Sequence, residues 1–142
     1  MEIQPIQIRK DNKWFLGEVE MFRRNILKIL AENIVRDDAG QYAIRMGEEY
    51  NPIKVEDVPF YAQGIYEEDG HKILVFYDLQ ELRLDHELKL YFKGEVPYIT
   101  FRWEADTRLS RGVYWALSDY FDFREDEVYI VPNLKQSNDE EK

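Results

Sequence analysis

Two segments with helical periodicity interrupt a chain that otherwise alternates between apolar and polar residues. From Glu18 to about Val35, apolar residues recur three and four positions apart, which predicts one face of a helix: Val19, Phe22, Ile26, Ile29, Leu30 and Ile34. A second helix is predicted from about Ala105 to Phe121. Each helix lies between strand-like segments, so we predict an α+β fold of repeated α+β units, with two helices packed on mainly antiparallel sheets.

Turn residues between alternating segments predict two hairpins. Ile6–Ile8 and Trp14–Leu16 flank a polar turn. Tyr61–Tyr66 and His71–Tyr77 flank the sequence Glu-Glu-Asp-Gly at residues 67–70, which is typical of a tight hairpin turn. Antiparallel pairing of neighbouring segments is therefore expected.

Further strands are predicted at 41–46, 88–92, 96–103 and 128–131. We expect one α+β domain over residues 1–132, which can be divided into lobes of about 1–57 and 58–132. Residues 133–142 are polar and end in Asn-Asp-Glu-Glu-Lys, so we expect a flexible acidic tail there.

Charge restricts the classes of partner. The 142 residues carry a net charge of -10, which argues against sequence-independent binding of nucleic acid and against an anionic membrane surface. A local arginine cluster can still attract a small anion. The chain has no cysteine, its N-terminus lacks the pattern of a secretion signal, and its longest aliphatic-aromatic run, 73–77, is too short to span a bilayer, so we expect a cytoplasmic protein.

Familiar catalytic motifs are absent from the sequence. It contains no phosphate-binding glycine loop, no nucleophile-elbow serine and no paired-histidine zinc helix. Asp85 and His86 are adjacent, but a metal site needs three or four converging ligands, so we predict neither a metal nor another cofactor. Glu104 and Asp106 could act as acid and base, but nothing in the sequence sets their separation, so an enzyme is the third hypothesis.

Residues 95–117 concentrate arginine and aromatic residues in an otherwise acidic chain. Alternation along the predicted strand places Tyr98, Thr100 and Arg102 on one face. On the predicted helix, steps of four, three and four residues stack four side chains along one side: Glu104, Arg108, Arg111 and Trp115. If the two faces meet, an anion-binding site forms from six residues: Tyr98, Thr100, Arg102, Arg108, Arg111 and Trp115.

The spacing leaves two interpretations of these arginines open. In the first, which we favour slightly, Glu104 pairs with Arg108 while the other arginines find acidic partners elsewhere, and the cluster only braces the fold. In the second, the guanidinium groups bind a carboxylate or phosphate of a small ligand through bidentate hydrogen bonds. Trp115 would then stack on a ring of that ligand.

The same stretch resembles the signature of a bacterial family, the domain of unknown function 1285 family. The resemblance is carried by Pro97-Tyr98-Ile99, Phe101-Arg102, Glu104-Ala105 and Leu109-Ser110-Arg111-Gly112-Val113-Tyr114, with upstream features in matching order: Trp14 and Gly17, Asp38 to Gly40 with Tyr42, and Val55 to Phe60. It spans roughly residues 6–131. It implies an α+β fold built from repeated structural motifs, a ligand-binding or signalling role, and no established catalytic residues.

Two functional hypotheses follow. The leading one is a bacterial cytoplasmic domain that senses or signals by binding a small anionic ligand, without catalysis. The alternative is a protein-interaction or homo-oligomerisation module, in which aromatic strands around Tyr61, Tyr77 and Tyr91 form the partner surface and the arginine cluster is purely structural.

Overall fold

The computed structural model describes residues 5–132, which form a mainly β, broadly α+β protein with three sheets and two short helices. The strands are β1 (Ile6–Ile8), β2 (Trp14–Leu16), β3 (Val19–Met21), β4 (Ile34–Arg36), β5 (Tyr42–Met46), β6 (Glu49–Pro52), β7 (Lys54–Val55), β8 (Phe60–Glu68), β9 (His71–Phe76), β10 (Glu81–Arg83), β11 (Leu88–Lys93), β12 (Val96–Ile99), β13 (Thr107–Leu109), β14 (Phe121–Arg124) and β15 (Glu127–Ile130). The helices are α1 (Arg24–Glu32) and α2 (Arg111–Ala116), and a 3-10 turn follows at Ser118–Tyr120. Neither helix is long and apolar enough to cross a membrane.

The chain divides into two compact units. Within the described residues, the first contains 5–60 together with Tyr77–Gln80, and the second contains Tyr61–Phe76 and 81–132. The predicted tail at 133–142 lies outside the described residues.

The first unit contains two sheets and α1. One sheet has the order β3-β2-β1-β7 and the other has the order β4-β5-β6. The predicted hairpin of β1 and β2 is confirmed, with Ile6 opposite Leu16 and Ile8 opposite Trp14. Ile8 and Trp14 are almost fully buried, because alternation along each strand turns these two side chains to the same apolar face.

The predicted helix from Glu18 to Val35 is wrong at both ends. Gly17, with φ of 63°, allows a tight turn that returns the chain as β3 alongside β2. At the other end, the Asn33 side chain donates to the Ile29 carbonyl over 2.7 Å, and the chain continues as β4, which pairs with β5. Sheet pairing satisfies the backbone groups at both ends, so only nine residues remain α-helical.

The predicted apolar face of this helix is also incorrect. Leu27 and Ala31 are the buried residues of α1. Four residues of the predicted face are exposed: Val19, Phe22, Ile26 and Ile29, whereas Ile34 is buried but lies on β4. Val19 belongs to a strand, so its spacing from the later residues does not have the helical period that the sequence suggested.

The second unit is built on one eight-stranded mixed sheet with the order β10-β9-β8-β13-β12-β11-β15-β14. The predicted hairpin of β8 and β9 is confirmed, with Glu68 opposite His71. Asp69 and Gly70 both have positive φ, 54° and 80°, which is the geometry that a two-residue hairpin turn requires. Along β9, Leu74 and Phe76 are fully buried and contribute to the core.

The predicted second helix, from about Ala105 to Phe121, is wrong over most of its length. Thr107–Leu109 forms β13 and pairs with β12, whereas Phe121–Arg124 forms β14 and pairs with β15. Helical structure is limited to the six residues of α2 and the following 3-10 turn. Apolar spacing did not exclude strands here, and pairing of β13 with β12 and of β14 with β15 takes the backbone hydrogen bonds of both ends.

Candidate functional site

The arginine-rich stretch folds as a hairpin followed by a short helix, all within the second unit. Strands β12 and β13 are antiparallel, with Tyr98 opposite Arg108 and Ile99 opposite Thr107. Directly opposite residues in an antiparallel pair share a face of the sheet, so Arg108 lies on the same face as Tyr98. Residues 100–106 form the connecting loop, and α2 begins at Arg111.

Asp106 organises the connecting loop. Its buried carboxylate accepts hydrogen bonds from the backbone N–H groups of residues 101, 102 and 103 over 2.8, 2.9 and 2.8 Å, and from the Thr107 hydroxyl over 3.0 Å. Thr100 Oγ1 accepts from the Ala105 N–H over 3.0 Å. Ala105 has a φ of 54°, a conformation that alanine rarely adopts and that these bonds hold in place.

The strand predicted from Val96 to Trp103 therefore ends at Ile99, and its predicted polar face is incorrect. Tyr98 is 4% exposed, and Lys93 Nζ lies 4.7 Å from the centre of its ring. Thr100 and Arg102 belong to the loop and not to a strand. The Arg102 guanidinium lies 5.1 Å from the centre of the Trp103 ring. The predicted strand does not continue past Ile99, because the Asp106 carboxylate accepts hydrogen bonds from the loop N–H groups. In a longer strand those groups would donate to a neighbouring strand.

The predicted helical stack of Glu104, Arg108, Arg111 and Trp115 is incorrect for the same stretch. Glu104 lies in the loop and accepts from the Tyr91 hydroxyl over 3.2 Å. Arg108 lies on β13, with its guanidinium 4.4 Å from the centre of the Tyr61 ring. Arg111 and Trp115 do lie on α2, four residues apart.

Three of the six predicted residues nevertheless line one pocket of about 410 Å³: Arg108, Arg111 and Trp115. The pocket is completed by residues of β12, β13 and α2 and of the turn before β12: Glu95, Val96, Pro97, Leu109 and Tyr114. Trp115 is 62% exposed, and its ring meets the Tyr114 ring edge-on with 5.2 Å between centres. The arrangement presents two guanidinium groups and two aromatic rings at one concave surface.

The start of α2 is anchored, which positions Arg111. Ser110 is the N-cap residue, and its Oγ accepts from the Val113 N–H over 3.1 Å. The same hydroxyl donates to the Gln63 carbonyl over 3.3 Å, and the Ser110 N–H donates to the Ala62 carbonyl over 2.9 Å. Arg111 is exposed and forms no hydrogen bond or ion pair within residues 5–132.

Comparison with known proteins bears on the fold. No protein-family model and no curated protein matches the sequence. A DUF1285 family protein from Shewanella baltica OS155 superposes with a TM-score of 0.68 at 14% identity, over 86% of this chain and 96% of that one. A second, from Silicibacter pomeroyi DSS-3, superposes with a TM-score of 0.70 at 14% identity, over 97% of this chain and 84% of that one. The chain has the DUF1285 fold. The resemblance inferred from the sequence is confirmed at this level.

Within this DUF1285 fold, five pocket residues were not predicted from the sequence: Glu95, Val96, Pro97, Leu109 and Tyr114. Glu95, Val96 and Pro97 are consecutive, so strand alternation gives no signal for them. Their place at the pocket depends on the pairing of β12 with β13, which brings Pro97 and Leu109 to the same part of the sheet. That pairing depends on the seven-residue loop, whose turn chemistry follows no common hairpin pattern.

Proposed function

We propose that the chain is a non-catalytic binding protein whose pocket in the second unit takes a small organic anion. The observation that carries this proposal is the arrangement of Arg108 and Arg111 with Tyr114 and Trp115 around one pocket of about 410 Å³. Pockets for small ligands commonly have volumes of about 300–1,000 Å³. The ligand class is a carboxylate or phosphate attached to a flat ring.

The positive charge of two arginines at the pocket favours binding of an anion, although the whole chain has a net charge of -10. At physiological salt, charges are screened over about 8 Å, so the two guanidinium groups dominate the potential inside the pocket. Arg111 is the accessible cation, and its planar fork matches a carboxylate or phosphate with two parallel hydrogen bonds. Glu95 also lines the pocket and opposes anions of high charge, which favours a ligand with a single negative charge.

The aromatic rings support a flat ligand. Trp115 leaves most of its large apolar surface in water, and a stacked ring would remove part of that surface. The ring of Tyr114, set edge-on to it, limits how far the indole can turn. Trp115 is thus a rigid platform beside the cation of Arg111.

Binding without chemistry agrees with the role of the nearby carboxylates. Asp106 accepts four hydrogen bonds inside its own loop, and Glu104 accepts from the Tyr91 hydroxyl. Neither carboxylate lines the pocket. The sensing or signalling role of the proposal rests on the family resemblance.

The test is a comparison of two arginine variants. We expect benzoate to bind the wild type more tightly than phenyl phosphate, which carries nearly two negative charges at neutral pH and is opposed by Glu95. Arg111→Ala should weaken both by about tenfold or more, since a hydrogen bond to a charged group contributes about 1.5–3 kcal/mol. Arg111→Lys should lie between the two, because lysine keeps the charge and loses the planar fork. Isothermal titration calorimetry measures each affinity.

Arg45→Ala is the matched control, because Arg45 is an exposed arginine on β5 that does not line the pocket. It changes the net charge by the same amount and should leave the affinity unaltered. Equal losses in Arg45→Ala and Arg111→Ala, or no binding of either compound to the wild type, would contradict the proposal.

A second candidate function is self-association through the outer face of α1, defined by Ile26 and Ile29 on the helix and by Phe22 two residues before it. Phe22 is 70% exposed and Ile29 is 52% exposed. The tyrosines expected to form a partner surface are engaged elsewhere, since Tyr77 lies under the Arg24 guanidinium at 4.4 Å and Tyr61 under that of Arg108. Phe22, Ile26 and Ile29 offer an apolar surface in place of those tyrosines.

Charge at the edge of this face favours a second copy of the chain as its partner. Lys28 and Glu32 are paired at 4.0 Å along one edge of α1, and both are about half exposed. Two copies of α1 packed antiparallel about a two-fold axis that passes near Leu30 bring Lys28 of each copy toward Glu32 of the other. The edge is therefore complementary to itself.

Ile29→Glu should abolish this self-association, because it places a charge within the apolar face that the second copy would bury. Sedimentation equilibrium at rising protein concentration should show the wild type shifting from 17.2 kDa toward twice that mass, more strongly at high salt, because the net charge of each copy is repulsive. Phe123→Glu, at an exposed position in the second unit, should behave as the wild type. A wild type that stays monomeric at every concentration and salt rules out this function.

A further inference from the structure

A second pocket lies entirely within the first unit and differs chemically from the arginine-lined pocket. Its volume is about 380 Å³, and eight of its ten lining residues are apolar. Ile44 and Ile53 are buried, whereas Leu16 and Met46 are partly exposed. Ligand sites of this size are typically apolar, with a small number of polar groups that set orientation.

Strand register explains why these side chains share one surface. On the three-stranded sheet, Ile44 lies opposite Asn51, and Met46 lies opposite Glu49. Opposite residues of an antiparallel pair project to the same face, as do residues two apart on one strand, so these four side chains form a single patch. The other sheet contributes Ile6 and Leu16, which are also opposite each other.

The polar groups of this pocket lie together on β6. Glu49 and Asn51 are two positions apart and exposed, and neither side chain forms a hydrogen bond or ion pair within residues 5–132. None of the ten lining residues, all in the described part of the chain, is basic. A ligand therefore meets a carboxylate and an amide oxygen at one end and aliphatic surface over the rest.

We propose that this pocket binds a small aliphatic or aromatic amine as its ammonium cation, with the ammonium group at Glu49 and Asn51 and the apolar part against Ile44 and Leu30. An ammonium group has three donors and no acceptor, so it matches a carboxylate and an amide oxygen. The amide group of Asn51 can turn its oxygen to the ligand. The inference is independent of the anion-binding proposal, since it concerns other residues and the opposite charge.

Electrostatics favour the cation over the corresponding acid. A carboxylate head group would lie beside Glu49 with no basic lining residue to offset the repulsion. The net charge of -10 also raises the local concentration of cations around the protein. A neutral alcohol would keep the apolar contacts and lose the charged one.

The test uses a series of simple amines followed by methyl NMR of Met46 and Ile44. We expect octylammonium to bind more tightly than 1-octanol, and 1-octanol more tightly than octanoate. From butyl- to hexylammonium the affinity should rise by about tenfold, since two further methylene groups leave water. Shifts of the Met46 and Ile44 methyl signals place the compound in this pocket.

Glu49→Gln and Glu48→Gln form the matched pair of variants. Both remove one negative charge from exposed positions, but only Glu49 lines the pocket. Glu49→Gln should reduce the preference for octylammonium over 1-octanol to near unity, and Glu48→Gln should preserve it. Three results would each overturn the proposal: octanoate binding as tightly as octylammonium, identical behaviour of the two variants, or no methyl shifts with any compound.

Discussion

Asp106→Ala is expected to lower the free energy of unfolding by about 2–4 kcal/mol, because it leaves three backbone N–H groups of the loop without their acceptor. Native domains are stable by only about 5–15 kcal/mol, so the loss is large. The affected loop joins β12 to β13, and β13 carries Arg108 into the arginine-lined pocket. Urea denaturation followed by circular dichroism measures the change.

Asp106→Asn should destabilise less than Asp106→Ala. Oδ2 of Asp106 accepts from the N–H groups of Arg102 and Trp103, and an asparagine oxygen can keep both bonds. Its amide nitrogen can donate to the Thr107 hydroxyl, which accepts as well as donates, so only the bond from the Phe101 N–H is lost. Asp126→Ala, at an exposed turn, is the control and should change stability by less than about 0.5 kcal/mol. Equal stability of Asp106→Ala and this control would refute the role assigned to the carboxylate.

Phe76→Ala is expected to cost about 3–5 kcal/mol of unfolding free energy, the usual range for removing a buried phenylalanine ring. Phe76 is fully buried on β9, and its ring meets that of Phe101 edge-on with 4.6 Å between centres. Removing it leaves a cavity beside Phe101 and loses an aromatic contact. The midpoint of urea denaturation should fall with little change in its slope.

Phe123→Ala provides the control for the same chemical change. Phe123 is 73% exposed, so its truncation should alter stability by less than about 0.5 kcal/mol.

Phe101 connects the two predictions, because its ring packs on Phe76 and its N–H donates to Asp106. A double variant of Asp106 and Phe76 should therefore depart from additivity by about 0.5 kcal/mol or more. Strict additivity would show that the ring contact and the loop are energetically independent.

Local patterns predicted the hairpins well and the helices poorly. The β8 and β9 hairpin was predictable because Asp69 and Gly70 adopt the positive φ that their turn needs, and both its strands are close in sequence. The helices failed because apolar spacings of three and four also occur by chance across strand-turn-helix boundaries, as from Val19 on β3 to Ile26 on α1. Apolar spacing alone does not show that the ends of each predicted helix pair instead with neighbouring strands.

The candidate site shows the same division. The high density of arginine and aromatic residues in 95–117 correctly indicated that Arg108, Arg111 and Trp115 lie close together. The helical stack predicted to bring them together does not exist, because Arg108 lies on a strand. Tyr98, Thr100 and Arg102 were assigned to the site by strand alternation. In the structure Tyr98 is buried on β12, Thr100 and Arg102 lie in the loop held by Asp106, and none of the three lines the pocket. Asp106 appeared in the sequence only as a candidate acid or base, and its hydrogen bonds to the loop were not foreseen.

The sequence by itself determined the α+β class, two hairpins and the concentration of arginine and aromatic residues at 95–117, because each depends on residues close together in the chain. Only the tertiary structure decided where α1 and α2 begin and end, which arginines line a pocket and which apolar residues of α1 stay in water. Those outcomes depend on strand pairing at the ends of both helices, on the hydrogen bond from the Ser110 N–H to the Ala62 carbonyl of β8, and on one buried carboxylate. Such interactions are stronger than the small differences in local preference that sequence periodicity reports.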